Sequence, residues 1–283
     1  MLNCFHERHY IMKKPNKVKT RQRYRLNLEY AGTGFSGWQK QANARTIQGT
    51  LLEVASEIFR DPKLDIQGNG RTDAGVHALN YTAHLQTSAG GMEPEKICDR
   101  FNNLLPSSIV MLSVTPSEAR FHARHNCVGR SYVYQISTRK SVFQKNYAWW
   151  PKEQLNTTAM FKAAELFVGM HDFASFAEKP ELKKSTKVLV NGVYIYEEKD
   201  MLRLRIVGSH FLWKMVRRMA GVLVEVGRGN LSAAKIAGFL EGTVGKAAEF
   251  TAPASGLFFE KAFYDKDEFN KFLDEASGET DFT

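Results

Sequence analysis

The sequence predicts an α+β protein of two βαββαβ, ferredoxin-like halves, each an antiparallel sheet with helices on one face, and a cleft between the halves. Three observations predict it. Short runs of alternating apolar and polar residues mark strands, and apolar residues at helical spacing mark the helices between them. The same element order then occurs twice within 283 residues, a length sufficient for two ordinary cores.

In the first half, Tyr24, Leu26, Leu28 and Tyr30 alternate with Arg25, Asn27 and Glu29, the pattern of a half-buried strand. A glycine-punctuated loop, Ala31-Gly32-Thr33-Gly34-Phe35-Ser36-Gly37-Trp38, follows. Ile47, Leu51, Val54, Ala55 and Ile58 fall on one helical face behind Thr46 as N-cap. A short strand near 63–67, a strand over 81–86, a helix opened by Pro94 and a strand over 109–114 complete the half.

The second half repeats the order. Tyr132, Tyr134 and Ile136 mark a strand, and Met160 to Val168 a helix stopped by Gly169. Segments 188–196 and 202–207 read as a hairpin, with Leu202, Leu204 and Ile206 alternating with Arg203 and Arg205. A long helix is expected from about Phe211 to Gly227, a shorter one capped by Ser232, and a last strand over 257–264. The expected domains are therefore 24–115 and 116–264. A flexible basic extension, 1–23, precedes them, and an acidic tail, 265–283, follows.

The net charge is +9, with about +6 in residues 1–23, −5 in 265–283 and +8 in the body between. A folded body with that excess suits a polyanionic partner. No apolar run approaches the roughly 20 residues that cross a bilayer. Cys4, Cys98 and Cys127 form no paired framework, which predicts a reducing, cytoplasmic setting. The N-terminal stretch has no apolar signal-peptide core, and Met12 opens a second plausible start, so residues 1–11 are expected to be a lead-in or a start-site artefact. His122 and His125 sit three apart without further ligands nearby, so no metal is expected. Walker, Rossmann, HExxH and GxSxG motifs do not occur in the chain.

The stretch Gly70-Arg71-Thr72-Asp73-Ala74-Gly75-Val76-His77-Ala78 holds one carboxylate between small residues. An aspartate so placed ordinarily caps its own turn. Two distant features favour a second reading. Arg217 falls on a mostly apolar helix, where a cation is costly to bury without an anionic partner. Asp73 is a candidate for that partner, the alternative being a surface arginine beside Arg218. Tyr132 reads either as a sheet aromatic or as a base platform. Aromatic and basic residues also interleave at 121–125, 130–132 and 213–214, a mixture that supplies phosphate contacts and flat surfaces for bases.

Gly70 to His77 resembles the catalytic motif of the TruA family of tRNA pseudouridine synthases, in its compact bacterial form. The resemblance extends over 24–264 through Phe35-Ser36-Gly37-Trp38-Gln39, Phe121-His122-Ala123-Arg124, Arg130-Ser131-Tyr132-Val133-Tyr134, Asp172-Phe173-Ala174-Ser175-Phe176, Phe211 with Met215-Val216-Arg217, and Ala254-Ser255-Gly256-Leu257. The extension and the acidic tail fall outside it. It implies an active-site cleft between the halves. There, uridine 38, 39 or 40 of the tRNA anticodon stem-loop is isomerised to pseudouridine by a homodimer without cofactor or metal. It assigns Asp73 as the catalytic carboxylate and Arg217 as its ion-pair partner. Tyr132 is implied to stack on the target base and to take part in deprotonation. Arg71 is implied to displace the flipped nucleotide, and Leu257 to form part of an apolar pocket wall. A non-catalytic protein with tandem RRM-like domains shares the element order, but neither candidate third strand, 81–86 or 202–207, carries the RNP1 aromatics. Glycosidic hydrolysis usually needs a pair of carboxylates, and no second acid lies near Asp73 in sequence.

Overall fold

The computed structural model describes residues 21–178, 185–242, 245 and 247–278. Its strands are β1 (Gln22–Tyr30), β2 (Asp65–Gly68), β3 (His77–Thr87), β4 (Ile109–Pro116), β5 (Gly129–Ser137), β6 (Gly169–Asp172), β7 (Lys187–Glu198), β8 (Met201–Gly208) and β9 (Leu257–Phe263). Its helices are α1 (Ile47–Phe59), α2 (Pro94–Leu104), α3 (Thr157–Ala164), α4 (Met215–Gly227), α5 (Ala233–Glu241) and α6 (Lys266–Gly278).

Among the described residues the antiparallel sheets of the two halves join edge to edge into one sheet, ordered β4-β1-β3-β9-β5-β8-β7-β6, with β2 also on β3. The seam between the halves is a parallel pair in which His77 faces Phe258 and Ala78 faces Phe259. The last strand of the chain thus closes onto the strand that follows the Asp73 loop. The first half has the fourth-first-third-second order β4-β1-β3-β2, and the second repeats it as β9-β5-β8-β7 with β6 added at the edge.

Strand alternation sets the layers. Tyr24, Leu26, Leu28 and Tyr30 pack with Ile47, Leu51, Ala55 and Ile58 of α1 and with Ile97 and Phe101 of α2. The Thr46 side chain accepts the Gly49 N–H and starts α1, a cap worth about 1 kcal/mol. In the second core, Leu202, Leu204 and Ile206 pack with Met215, Met219 and Leu223 of α4 and with Met160 of α3. Tyr132 borders both cores.

Several details depart from the sequence expectations. β1 starts within the stretch expected to be an extension, while residues 1–20 lie outside the described residues. The acidic stretch contains α6, which packs on the other face of the sheet, where Phe269 meets Val207 and Phe263. α6 lies beyond the two halves, whose own helices pack on the opposite face. Arg205 on that face stacks over Phe272 at 5.4 Å and pairs with Glu260 at 3.0 Å. Gly169 stops the preceding helical turn but also opens β6, a four-residue edge strand without apolar alternation. α4 begins at Met215 rather than near Phe211, and Ser232 precedes α5 without a side-chain capping bond.

Candidate active site

The Asp73 loop lies between β2 and β3 and is held from below by the glycine-rich loop after β1. Trp38 N–H donates to the Thr72 carbonyl at 3.1 Å, and Gly75 N–H donates to the Phe35 carbonyl at 3.3 Å. The Tyr30 and Thr72 hydroxyls are 2.9 Å apart, and Tyr81 Oη donates to the Gly70 carbonyl at 2.6 Å. Gly37 has φ +86°, and a Cβ there would lie 2.5 Å from the Thr72 carbonyl oxygen. Only glycine allows that approach. Gly75 also has a positive φ, +80°, whereas Gly70 has neither a positive φ nor a neighbour that a Cβ would strike. Of the two motif glycines, only Gly75 therefore takes a backbone path that calls for glycine.

This support presents Asp73 to the second half of the chain. Its Oδ2 accepts from Arg217 Nη1 at 3.0 Å, and its Oδ1 from Trp213 Nε1 at 2.9 Å. The turn is closed by backbone instead, with Val76 N–H donating to the Asp73 carbonyl at 3.2 Å. Asp73 is thus no side-chain turn cap. Arg217 is itself fixed, because its Nε donates to the Ala252 carbonyl at 2.8 Å, and Ala252 N–H donates to the Arg217 carbonyl at 3.1 Å. Its neighbour Arg218 is buried and bonded to Glu178 rather than lying on the surface.

Trp213 went unassigned in the sequence reading as a partner of the carboxylate. It lies in the turn before α4, two residues ahead of Met215, and the residue is 55% exposed. The only signal available was its proximity in sequence to Arg217.

Tyr132, on β5, lies edge-on to Phe211 at 5.2 Å and to Phe259 at 5.1 Å between ring centroids. Burial, with a contribution from the Asp73 charge, pushes its phenol up to about 12 against the opposing pull of Arg130. It stays protonated through neutral pH. Leu257 opens β9 opposite Tyr134 and is almost fully buried, in the apolar cluster that contains Val76 and Val216. Arg71 is exposed, without a hydrogen-bond or ion-pair partner among the described residues.

The basic-aromatic segments divide. Arg130 is buried and donates to the carbonyls of Ser209 at 3.0 Å, Asn69 at 2.9 Å and Arg124 at 3.4 Å, so it ties β5 to three loops instead of offering a phosphate contact. His122 lies 4.1 Å from His125 and 4.7 Å from His84 between ring centroids. Among the described residues, no group of three or more His, Cys, Asp or Glu is placed to hold a metal ion.

A family model described as tRNA pseudouridine synthase matches residues 28–126 and 163–265, both sides of this site. The chain belongs to that family, which makes it an isomerase that forms pseudouridine in tRNA. Similar proteins include tRNA pseudouridine synthase A 2 of Clostridium tetani, 36% identical over 244 residues, covering 85% of this chain and 98% of the relative. The protein of the same name from Bacillus cereus is 37% identical over 84% of this chain and 97% of the relative. The tRNA pseudouridine synthase A of Ruminiclostridium cellulolyticum is 35% identical over 86% of this chain and 100% of the relative. No helix among the described residues is long and apolar enough to cross a membrane.

Proposed function

We propose that this chain converts uridine to pseudouridine at positions 38, 39 and 40 of the tRNA anticodon stem-loop, as a cytoplasmic homodimer, with Asp73 as nucleophile and no cofactor. The observation that carries the reading is the Asp73 carboxylate, held by Arg217 and Trp213 from the other half of the chain and close enough for its charge to act on the Tyr132 phenol. The reading assigns residues to the steps that need a protein group. A stacked uridine cannot turn, so it must be flipped out at a cost of a few kcal/mol. Arg71, exposed beside Asp73, assists that displacement.

In the pocket the bond between C1′ and N1 breaks, the uracil rotates, and C1′ joins C5. The proton on C5 leaves to solvent, and N1 takes one up. An ionised Asp73 serves by covalent attack at C6 or C1′, or by taking a ribose proton. Tyr132 and the wall that includes Leu257 hold the loose base during rotation. Because Tyr132 is a neutral phenol, any proton role for it in the resting site is that of a donor. The reaction is an internal exchange of one glycosidic bond for another, with no net transfer of electrons or phosphate.

The test is to incubate unmodified tRNA transcripts carrying uridine at 38, 39 and 40 with the purified chain and to map pseudouridine chemically. Product confined to those positions supports the reading. Product elsewhere overturns the position assignment, and tRNA binding without product overturns the catalytic one in favour of an RNA-binding module.

A further inference from the structure

We propose that a cavity beside Arg25, separate from the Asp73 site, binds a backbone phosphodiester of the bound RNA. The proposal rests on the reading of the chain as a tRNA enzyme. The cavity measures about 350 Å³, and its lining includes Arg25, Arg120, Ser117, Glu118, Phe121 and Asn126. Arg25 alternates with the core residues Tyr24 and Leu26, so it projects from the opposite face of β1. It shares that strand with Tyr30, which supports the Asp73 loop; five residues at roughly 3.3 Å each put about 17 Å of strand between them.

Three features make this a phosphate site. The Arg25 guanidinium carbon sits 4.5 Å from the Tyr264 ring centroid and 5.9 Å from that of Phe121. Rings cover the faces of a guanidinium and leave its N–H groups, which lie in the plane, for a bidentate oxyanion. The rings are themselves anchored. Tyr264 Oη donates to the Ala123 carbonyl at 2.7 Å, and Arg23 Nη1 donates to the Phe121 carbonyl at 2.6 Å.

Hydrogen-bond donors are also left over. Arg25 Nε and Ser117 Oγ are both buried without a hydrogen-bond partner, a condition that native proteins rarely leave unanswered. Among the described residues, neither the Arg25 nor the Arg120 side chain has a hydrogen-bond acceptor. Asn126 Oδ1 accepts the His122 N–H at 2.6 Å, which leaves the Asn126 amide hydrogens as further donors.

Charge then selects the ligand. Two arginines against Glu118 leave one net positive charge, the complement of the single negative charge on each backbone phosphodiester. A contact of this kind sets the register of the RNA without reading its sequence.

The test measures tRNA affinity of the full chain between 50 and 200 mM KCl, with Arg25→Gln and, separately, Arg120→Gln. Arg25→Gln is expected to weaken binding about five- to tenfold at low salt. It should also lower the slope of log K against log salt by about 0.9, with turnover at saturating tRNA unchanged. Arg120→Gln, a change at an exposed position, should act in the same direction and keeps the test valid if Arg25→Gln does not fold. Slopes equal to that of the parent in folded variants overturn the proposal. Calorimetry with inorganic phosphate distinguishes the source of the anion. Phosphate binding lost in Arg25→Gln, with an unchanged RNA slope, overturns the RNA assignment in favour of a free anion. A parent chain that neither binds nor converts tRNA refutes the functional reading, and this proposal with it.

Discussion

Arg217 Nη1 lies 3.0 Å from Asp73 Oδ2, an ion pair between a helix of the second half and a loop of the first. Both side chains are largely shielded, 15% and 21% exposed, so the pair holds geometry as well as charge. Arg217 makes a second bond, from Nε to the Ala252 carbonyl, which a lysine cannot make at the same time in the same fork. Arg217→Lys should therefore lower the single-turnover rate about a hundredfold through misplacement of the carboxylate. Affinity for tRNA should hardly change. A filter-binding assay beside rapid quench separates the two effects.

Trp213 supplies the second anchor on Asp73, through an N–H on a ring that is itself open to solvent. Trp213→Phe keeps a ring and removes the donor. Hydrogen bonds to charged groups contribute about 1.5–3 kcal/mol, and exposure places this one at the lower end. The expected loss is roughly tenfold in single-turnover rate, with the melting temperature within a few degrees of the parent. A rate equal to that of the parent would remove Trp213 from the positioning of the carboxylate.

Much of this arrangement was legible in the sequence, for identifiable reasons. Alternation in β1 and β8 and helical spacing in α1 reflect burial on one face, which local pattern records. Arg217 stood out as a cation on an apolar helix, and its partner proved to be Asp73. The seam between β3 and β9 was not legible, because a pairing across some 180 residues leaves no local trace. Gly37 was legible only as a loop glycine; its contact with the Thr72 backbone depends on how two distant loops meet. Trp213 was missed because an exposed tryptophan beside a helix start has no pattern that distinguishes a carboxylate partner from a surface ring. The same holds for α6, whose acidic face conceals Phe269 and Ala276 on its buried side.

Tyr132 makes a prediction about pH. Its phenol is pushed up to about 12, first by burial and then by the Asp73 charge, so about one molecule in 10⁴ carries the tyrosinate at pH 8. A tyrosinate base would make the single-turnover rate climb tenfold per pH unit between 7 and 10. A neutral donor gives no such climb. The expected profile has no climb of this kind, and Tyr132→Phe should fold and bind tRNA yet react more slowly across the range.

His84 makes one about stability. It is 3% exposed, and burial first, then the charges of Arg23 and His122, pull its imidazole down to about 4, against a weaker opposite effect of Asp65. The unfolded chain takes up the proton first as pH falls, so the folded form loses stability from about pH 6.5 down to pH 4. The loss attributable to His84 is on the order of 3 kcal/mol. Urea melts at pH 7 and pH 4.5 should show much of it, and His84→Gln should flatten the difference. Equal pH dependence in parent and variant would contradict this.

The central claim, that the carboxylate of Asp73 performs the isomerisation, is tested most directly by release of tritium from C5 of uridine-labelled tRNA. The parent chain should release label from the anticodon arm. Asp73→Ala and Asp73→Asn should bind the same tRNA and release none. Substantial release by Asp73→Ala would contradict the assignment of Asp73 as the nucleophile.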